Sequence, residues 1–523
     1  MNKVNEINNN VTNSILKRFW SSDFAVIGIF SALAVLLHLI AIEGFGYFRD
    51  EFYYISCSDH LDFGYVDQPP LSILLLKLIR LVLGDSLIAI RILPVLAAGL
   101  FVFLTGVIAR ELGGKKFALL LASVAAFAPI GNFFLYNVYS MNFLDHLFWL
   151  ACIFILLRII KTGDPKYWLL FGLTAGLGLQ NKISVLFLCF GIVVGLVLTK
   201  ERKHFRSKYL WLGAATAGLL FLPYVLWNMA HGWPHLEFIH NAKAYKMVAT
   251  SPVEFLKGQI LYNNPGTLLI WLAGLWYFFF HREGKKYRLF GWLFLSIYVL
   301  LTLQQAKDYY MSGIYPILFA GGAVLIETWL RQKQWTWPKP ILIIMILVPT
   351  LILIPFALPV LPVDTTAKWM QTVGLTHTSG ENHEMGILPQ HFADMHGWEA
   401  MVEKVAGVYN TLSPEEKKEC MIFATNYGIT GAINLLGKKY NLPPAFSGHN
   451  SHFFWPPKRH TGNVMIIVGL RKKDLENTFK EVIIADRTNC KYCMPYENNK
   501  AIHLCRGSNR TLGEIWPNVK HFE

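Results

Sequence analysis

The recurrence of long apolar runs between Phe24 and Leu361 constrains this chain more than any other feature. The runs fall at Phe24 to Ile42, Leu87 to Ala109, Phe117 to Gly131, Met141 to Ile160, Tyr167 to Leu179, Ile183 to Leu198, Tyr209 to Trp227, Thr267 to Phe280, Leu289 to Leu303, Met311 to Leu330 and Ile341 to Leu361. A helix crossing the hydrocarbon core needs roughly 20 apolar residues, so about eleven spans are expected. The shorter ones imply tilt or packing within a bundle. A chain that is 54% hydrophobic and only 16% charged is unlike a soluble domain. The expected class is a polytopic α-helical membrane protein.

The net charge of +14 does not point to nucleic acid, because the basic residues sit in short loops and form no basic surface interleaved with aromatics. They read as topology signals. With a cytoplasmic N-terminal segment, residues 1–23, alternation places Arg110, Lys115 and Lys116, Arg158, Lys161 and Lys166, the cluster Lys200 to Lys208, Arg282 to Arg288, and Arg331, Lys333 and Lys339 in cytoplasmic loops. The first run is too long for a signal-peptide core and no A-x-A site follows it, so it is expected to be retained. The membrane unit is then 24–361, and an odd number of spans leaves 362–523 outside, enough for one domain. Cys420 to Thr425 and Val464 to Leu470 predict buried strands, Glu399 to Tyr409 and Ile429 to Tyr440 amphipathic helices: a small α/β domain. Its Cys490, Cys493 and Cys505, with His503, predict a disulfide involving Cys505 in preference to a zinc site.

Chemistry concentrates in the first outer loop, 43–86. Arg49, Asp50 and Glu51 stand at its mouth; Asp67 and Gln68 precede Pro69 and Pro70, which stiffen the chain ahead of Leu71 to Leu83, an interfacial helix interrupted by Lys77 and Arg80. Two acidic positions in one loop suit a general base with an orienting or metal-binding partner, or else hydrated caps of the next helix. Lys182 and Lys307 fall on the outer side, where basic residues should be depleted, and with Arg49 could neutralise a phosphate. Asp145, inside a run near Asn137, Asn142 and His146, is either functional or a buried brace. The His and Trp residues of 228–264 read as an interfacial belt. No phosphate loop, dinucleotide fingerprint, zincin motif or nucleophile elbow occurs in context.

The acidic pair, the D-x-P-P-L stretch from Asp67, the intramembrane Asp145, Lys182 at a span break, and K-x-Y-Y from Lys307 to Tyr310 together resemble the bacterial membrane glycosyltransferases of the protein mannosyltransferase type. These are glycosyltransferase family 39 and its GT-C relatives, among them the lipid A aminoarabinose transferases. The resemblance implies a GT-C fold with the outer domain in the C-terminal position. It also implies transfer of a sugar, with inversion, from a polyprenyl-phosphate donor to a lipid, glycan or protein acceptor on the periplasmic face of the inner membrane. Asp50 would correspond to the catalytic carboxylate with Glu51 as its neighbour, and Lys182 and Lys307 to basic residues near the lipid phosphate, which Arg49 could join. Asp67, Gln68, Asp145 and Tyr310 would support substrate or metal, a divalent ion being an open question. In aminoarabinose transferases a lysine precedes the Pro-Pro; here Gln68 does, which argues against that particular substrate. The alternatives are a ligase or polymerase for diphosphate-linked glycans, a lipid or glycan transporter, and a non-catalytic scaffold.

Overall fold

The computed structural model describes residues 22–374, 381, 383–457 and 461–523. The expected cytoplasmic segment therefore lies almost wholly outside the described residues. Every one of the apolar runs becomes a helix. We label α1 Asp23–Ile40, α2 Arg49–Asp59, α3 Leu71–Leu83, α4 Leu87–Glu111, α5 Lys116–Phe127, α6 Met141–Thr162, α7 Tyr167–Leu179, α8 Val185–Val197, α9 Lys208–Ala230, α10 Leu268–Phe280, α11 Arg288–Leu303, α12 Tyr315–Gln332 and α13 Pro338–Ala357.

Among the described residues, seven helices are long and apolar enough to cross a membrane: α1, α4, α6, α9, α13, and α11 and α12 with the turns ahead of them. Four shorter apolar helices, α5, α7, α8 and α10, pack among them. The protein is an integral membrane protein. α12 is the most enclosed of the seven, 78% of its apolar window being buried, whereas α9 and α13 are 17% buried and present the bundle's rim. Glu327 of α12 shows how a carboxylate is tolerated there. It accepts hydrogen bonds from the backbone N–H of Lys115, Phe117 and Ala118 at 2.7, 3.0 and 3.2 Å, satisfying the otherwise unpaired N-terminus of α5.

α2 and α3 do not continue the bundle. α3 is amphipathic, with Ile73 and Leu76 buried, Leu74, Leu78, Leu81 and Val82 exposed, and Arg80 pulled down onto Asp59 and Asp85 at 2.8 and 2.6 Å. The segment 228–264, expected as a belt-like loop, contains helices at Pro234–Asn241 and Pro252–Tyr262. Ser251 and Glu254 cap the second reciprocally.

The C-terminal part holds a five-stranded sheet: β1 Met421–Ala424, β2 Ala445–Phe446, β3 Val464–Val468, β4 Phe479–Arg487 and β5 Ala501–Ser508, ordered β2-β1-β3-β5-β4. β1 runs parallel to β2 and β3, while β5 is antiparallel to β3 and β4. The fully buried β1 and β3 are the strands legible as apolar runs. β4 is a charged edge strand, exposed along most of its length, and carries no such signal. Two helices, α14 Trp398–Asn410 and α15 Tyr427–Leu436, cover one face; Trp398, Met401, Val402, Val405 and Val408 form the helical stripe that meets Ile422, Ile466 and Leu504.

The expected disulfide through Cys505 is not formed. Cys505 points into the other face of the sheet, among Met421, Phe423 and Met465, whereas Cys490 and Cys493 pack beside Gly397 at the start of α14. The period-2 alternation of β5 sends Cys505 away from them. Cys490 and Cys493 instead adjoin each other, the Cys493 N–H donating to Cys490 Sγ at 3.1 Å. No cluster of three or more metal-ligating side chains forms among the described residues.

Candidate active site

The short helix α2 is wedged between membrane bundle and sheet domain, and successive side chains at 100° intervals face three different partners. Asp50, Tyr53 and Tyr54 face a cavity of about 630 Å³. Glu51 turns to the bundle and Phe52 to the sheet domain. There Phe52 meets Trp398 edge-on at 5.5 Å and lies under Gly431 of α15, where an added Cβ would come within 2.7 Å of Phe52.

Four of the residues singled out from sequence line this cavity: Arg49, Asp50, Asp67 and Lys307. Asp50 is 39% exposed and free to meet a ligand, and its Oδ1 accepts from Tyr427 Oη at 2.7 Å. Asp67 Oδ1 accepts from Tyr53 Oη at 2.7 Å, and that phenol also shares a hydrogen bond with Ser451 Oγ at 2.7 Å. Burial pushes the Asp67 carboxyl up to about 6, against the pull of the Tyr53 hydrogen bond. Arg49 is largely committed: Nη1 donates to Tyr496 at 2.6 Å, and Nε lies 3.9 Å from Asp50 and 4.0 Å from Asp394. Asp394, itself raised to about 6 by burial despite Arg49, closes that corner with Tyr496.

Lys307 Nζ contacts Glu381 Oε1 at 2.9 Å, and Lys246 approaches the same oxygen at 3.8 Å. Burial works against the charge on Lys307, but Glu381 more than offsets it and the ammonium is held protonated. Burial likewise opposes ionisation of Glu381, and the two lysines overcome it, bringing the carboxyl down to about 2. Two cations therefore share one carboxylate in the cavity wall.

A second group of predicted residues lies behind that wall. Lys182 donates to Asn142 at 2.8 Å, stands 3.6 Å from Asp145, and sits over the rings of Tyr309 and Tyr310 at 5.1 and 4.8 Å. Ser184 donates to Asp145 at 2.5 Å. Asn142 and Tyr309 reach the cavity, whereas Asp145, Lys182 and Tyr310 are not among its described lining. Asp145 thus links α6 to the α7–α8 turn through its contacts with Ser184 and Lys182.

Glu51 and Gln68 belong to neither group. Glu51 is fully buried in a two-pronged pair with Arg91 of α4, at 2.8 and 2.7 Å, and also accepts from the N–H groups of Phe48 and Tyr139. Removing one partner of such a pair strands a buried charge, at a cost of about 3–5 kcal/mol. Gln68 is buried with neither amide atom hydrogen-bonded among the described residues.

Sequence reasoning passed over Tyr53, Lys246, Glu381, Asp394 and Tyr427. Lys246 carried a signal, as a basic residue in a segment expected to be outside; the others had none, because partners as far apart in the chain as Asp50 and Tyr427 meet only on folding.

Comparison with solved structures decides the architecture. ArnT from Cupriavidus metallidurans bound to undecaprenyl phosphate is 13% identical and superposes with a TM-score of 0.58, covering 91% of this chain and 97% of that one. Its apo state gives 12% identity, the same coverages and a TM-score of 0.59. The fold is GT-C. An oligosaccharyltransferase from Archaeoglobus fulgidus in its apo form shares this GT-C architecture at 13% identity, with a TM-score of 0.51 over 80% of this chain and 64% of that one. A family model described as dolichyl-phosphate-mannose-protein mannosyltransferase matches residues 67–227, from Asp67 into the last turn of α9, and leaves Asp50 outside it. No curated protein matches the sequence. The chain is thus a GT-C protein resembling the glycosyltransferases of the mannosyltransferase and aminoarabinose-transferase type.

Proposed function

We infer that this chain is a glycosyltransferase that moves a sugar from a polyprenyl-phosphate donor to an acceptor hydroxyl on a lipid, glycan or protein. The reading is carried by one observation: a single cavity between bundle and sheet domain is lined by both the carboxylates Asp50 and Asp67 and the ammonium groups of Lys246 and Lys307. A lipid-linked sugar phosphate carries the matching pair of features, an electrophilic anomeric carbon and an anionic leaving group.

In this mechanism Asp50 takes the proton of the acceptor hydroxyl as its oxygen bonds to the anomeric carbon. The bond to the phosphate oxygen breaks and the lipid phosphate leaves with the electron pair. Lys307 and Lys246 stabilise that charge, with Lys182 acting from behind through Asn142 and Tyr309. Tyr427 orients Asp50. Tyr53 and Ser451 fix Asp67, which accepts hydrogen bonds from the donor sugar; were a divalent ion bound, Asp67 would be the carboxylate to hold it, and the ion would supply further charge stabilisation for the leaving group. In-line displacement inverts the anomeric centre. The cavity faces the periplasm in the topology that the basic loops favour, with the sheet domain outside the inner membrane.

The test is transfer from radiolabelled polyprenyl-phosphate sugars to acceptors in membranes containing wild type or Asp50→Asn, with and without EDTA. Transfer by wild type alone is expected. Equal transfer by Asp50→Asn would remove this carboxylate from the chemistry, while no transfer by a folded wild type would favour a diphosphate-linked ligase or a transporter. Loss of wild-type transfer with EDTA would show that a divalent ion is required.

A further inference from the structure

A second cavity, also of about 630 Å³, lies at the opposite end of the bundle. α6 runs from Met141 at the first cavity to Ile160 at this one, a rise of roughly 30 Å, which is the thickness of the hydrocarbon core. Lys200, Arg202, Lys285, Lys286 and Arg288 converge on the cleft from the turn after α8 and the start of α11, facing a single carboxylate, Glu201. Glu201 is already engaged by Lys203 at 3.2 Å and His204 at 3.1 Å. None of the five cations has a carboxylate partner among the described residues, whereas at the same end Arg110 pairs with Asp23, and Arg158 and Lys161 with Glu111. Arg288 donates through one Nη to Phe279, but its Nε is buried with no acceptor. A buried guanidinium donor without a partner is costly unless something supplies an acceptor.

The positive-inside bias accounts for basic residues at this end. It does not account for their gathering around a concavity, which focuses their field. The remaining wall includes Ile160 and Leu198, the latter 52% exposed, so the cleft is charged toward the aqueous side and apolar toward the bilayer.

We propose that this cleft binds a phosphate group, with an anionic phospholipid headgroup as the occupant that best matches both walls: Arg288 and Arg202 take phosphate oxygens, Lys285 and Lys286 add charge, and the glycerol and upper acyl chain lie along Ile160 and Leu198. The site is separate from the carboxylate cavity and independent of the function assigned to it.

The full-length protein is purified, stripped of lipid, and offered phosphatidylglycerol or phosphatidylcholine, retained lipid being counted by native mass spectrometry. Two variants of equal charge change are compared, Arg202→Gln/Lys285→Gln/Lys286→Gln in the cleft and Arg331→Gln/Lys333→Gln/Lys339→Gln outside its lining. Wild type and the second variant should retain phosphatidylglycerol over phosphatidylcholine, and the cleft variant roughly tenfold less of it. Equal losses in both variants would show diffuse attraction and overturn the site, as would full retention by the cleft variant. Displacement of the lipid by millimolar inorganic phosphate in wild type alone keeps the phosphate site and assigns it to a soluble ligand; resistance assigns it to the headgroup.

Discussion

Asp50 and Glu51 are adjacent in sequence and indistinguishable by composition, yet they do opposite things. Glu51 accepts four hydrogen bonds in the buried interior, while Asp50 is exposed to the cavity and held by one phenol. Removing that phenol should therefore matter more for rate than for folding. A hydrogen bond to a charged group contributes about 1.5–3 kcal/mol, so Tyr427→Phe is expected to lower kcat roughly 10- to 100-fold, with KM for the lipid donor nearly unchanged. Steady-state transfer kinetics check this. The Asp67 carboxyl, raised to about 6 by burial, adds a pH dependence. As pH falls through 6 it takes up a proton and ceases to be an anionic acceptor, so kcat/KM should drop about tenfold per pH unit below 6. In Asp67→Asn the acid limb should disappear along with most of the activity; a limb that persists would belong to Asp394.

At the scale of elements, α2 is what joins the two halves. Its docking on α15 requires glycine at Gly428 and Gly431, one turn apart, since added Cβ atoms would come within 2.5 Å of Arg49 and 2.7 Å of Phe52. Gly431→Leu is expected to lift the sheet domain from α2, exposing the chain near residue 362 to limited proteolysis and abolishing transfer while the bundle still inserts. An unchanged digestion pattern would mean that the contact is not limiting. The same packing explains which elements could be read in advance. α14 advertised itself by a stripe of five apolar residues, and β1 and β3 by unbroken apolar runs. The edge strand β4 and the helices within 228–264 lacked a period strong enough to stand out from their polar surroundings.

For the whole molecule, the cavity is shared property. The bundle side supplies Asp50, Asp67, Asn142 and Lys307; Glu381, Asp394, Tyr427 and Asn450 come from beyond residue 362. A chain ending after residue 361 should insert in membranes, as judged by extraction and detergent solubility, yet transfer no sugar, because Asp50 loses its phenol and the cavity one of its walls. Retained transfer would reduce the sheet domain to a cover. What the sequence determined by itself was the membrane class, the run of helices, and the α/β character of the C-terminal part. Each of these is local, set by the length of an apolar run, by the period of a short pattern or by charge between runs. Only tertiary structure decided that Asp50 and not Glu51 faces the cavity, that Asp145 meets Lys182, that Cys505 lies across a sheet from Cys490, and that Tyr427 meets a carboxylate 377 residues away. Those outcomes depend on the direction a side chain takes from its helix or strand and on what the rest of the chain brings to meet it.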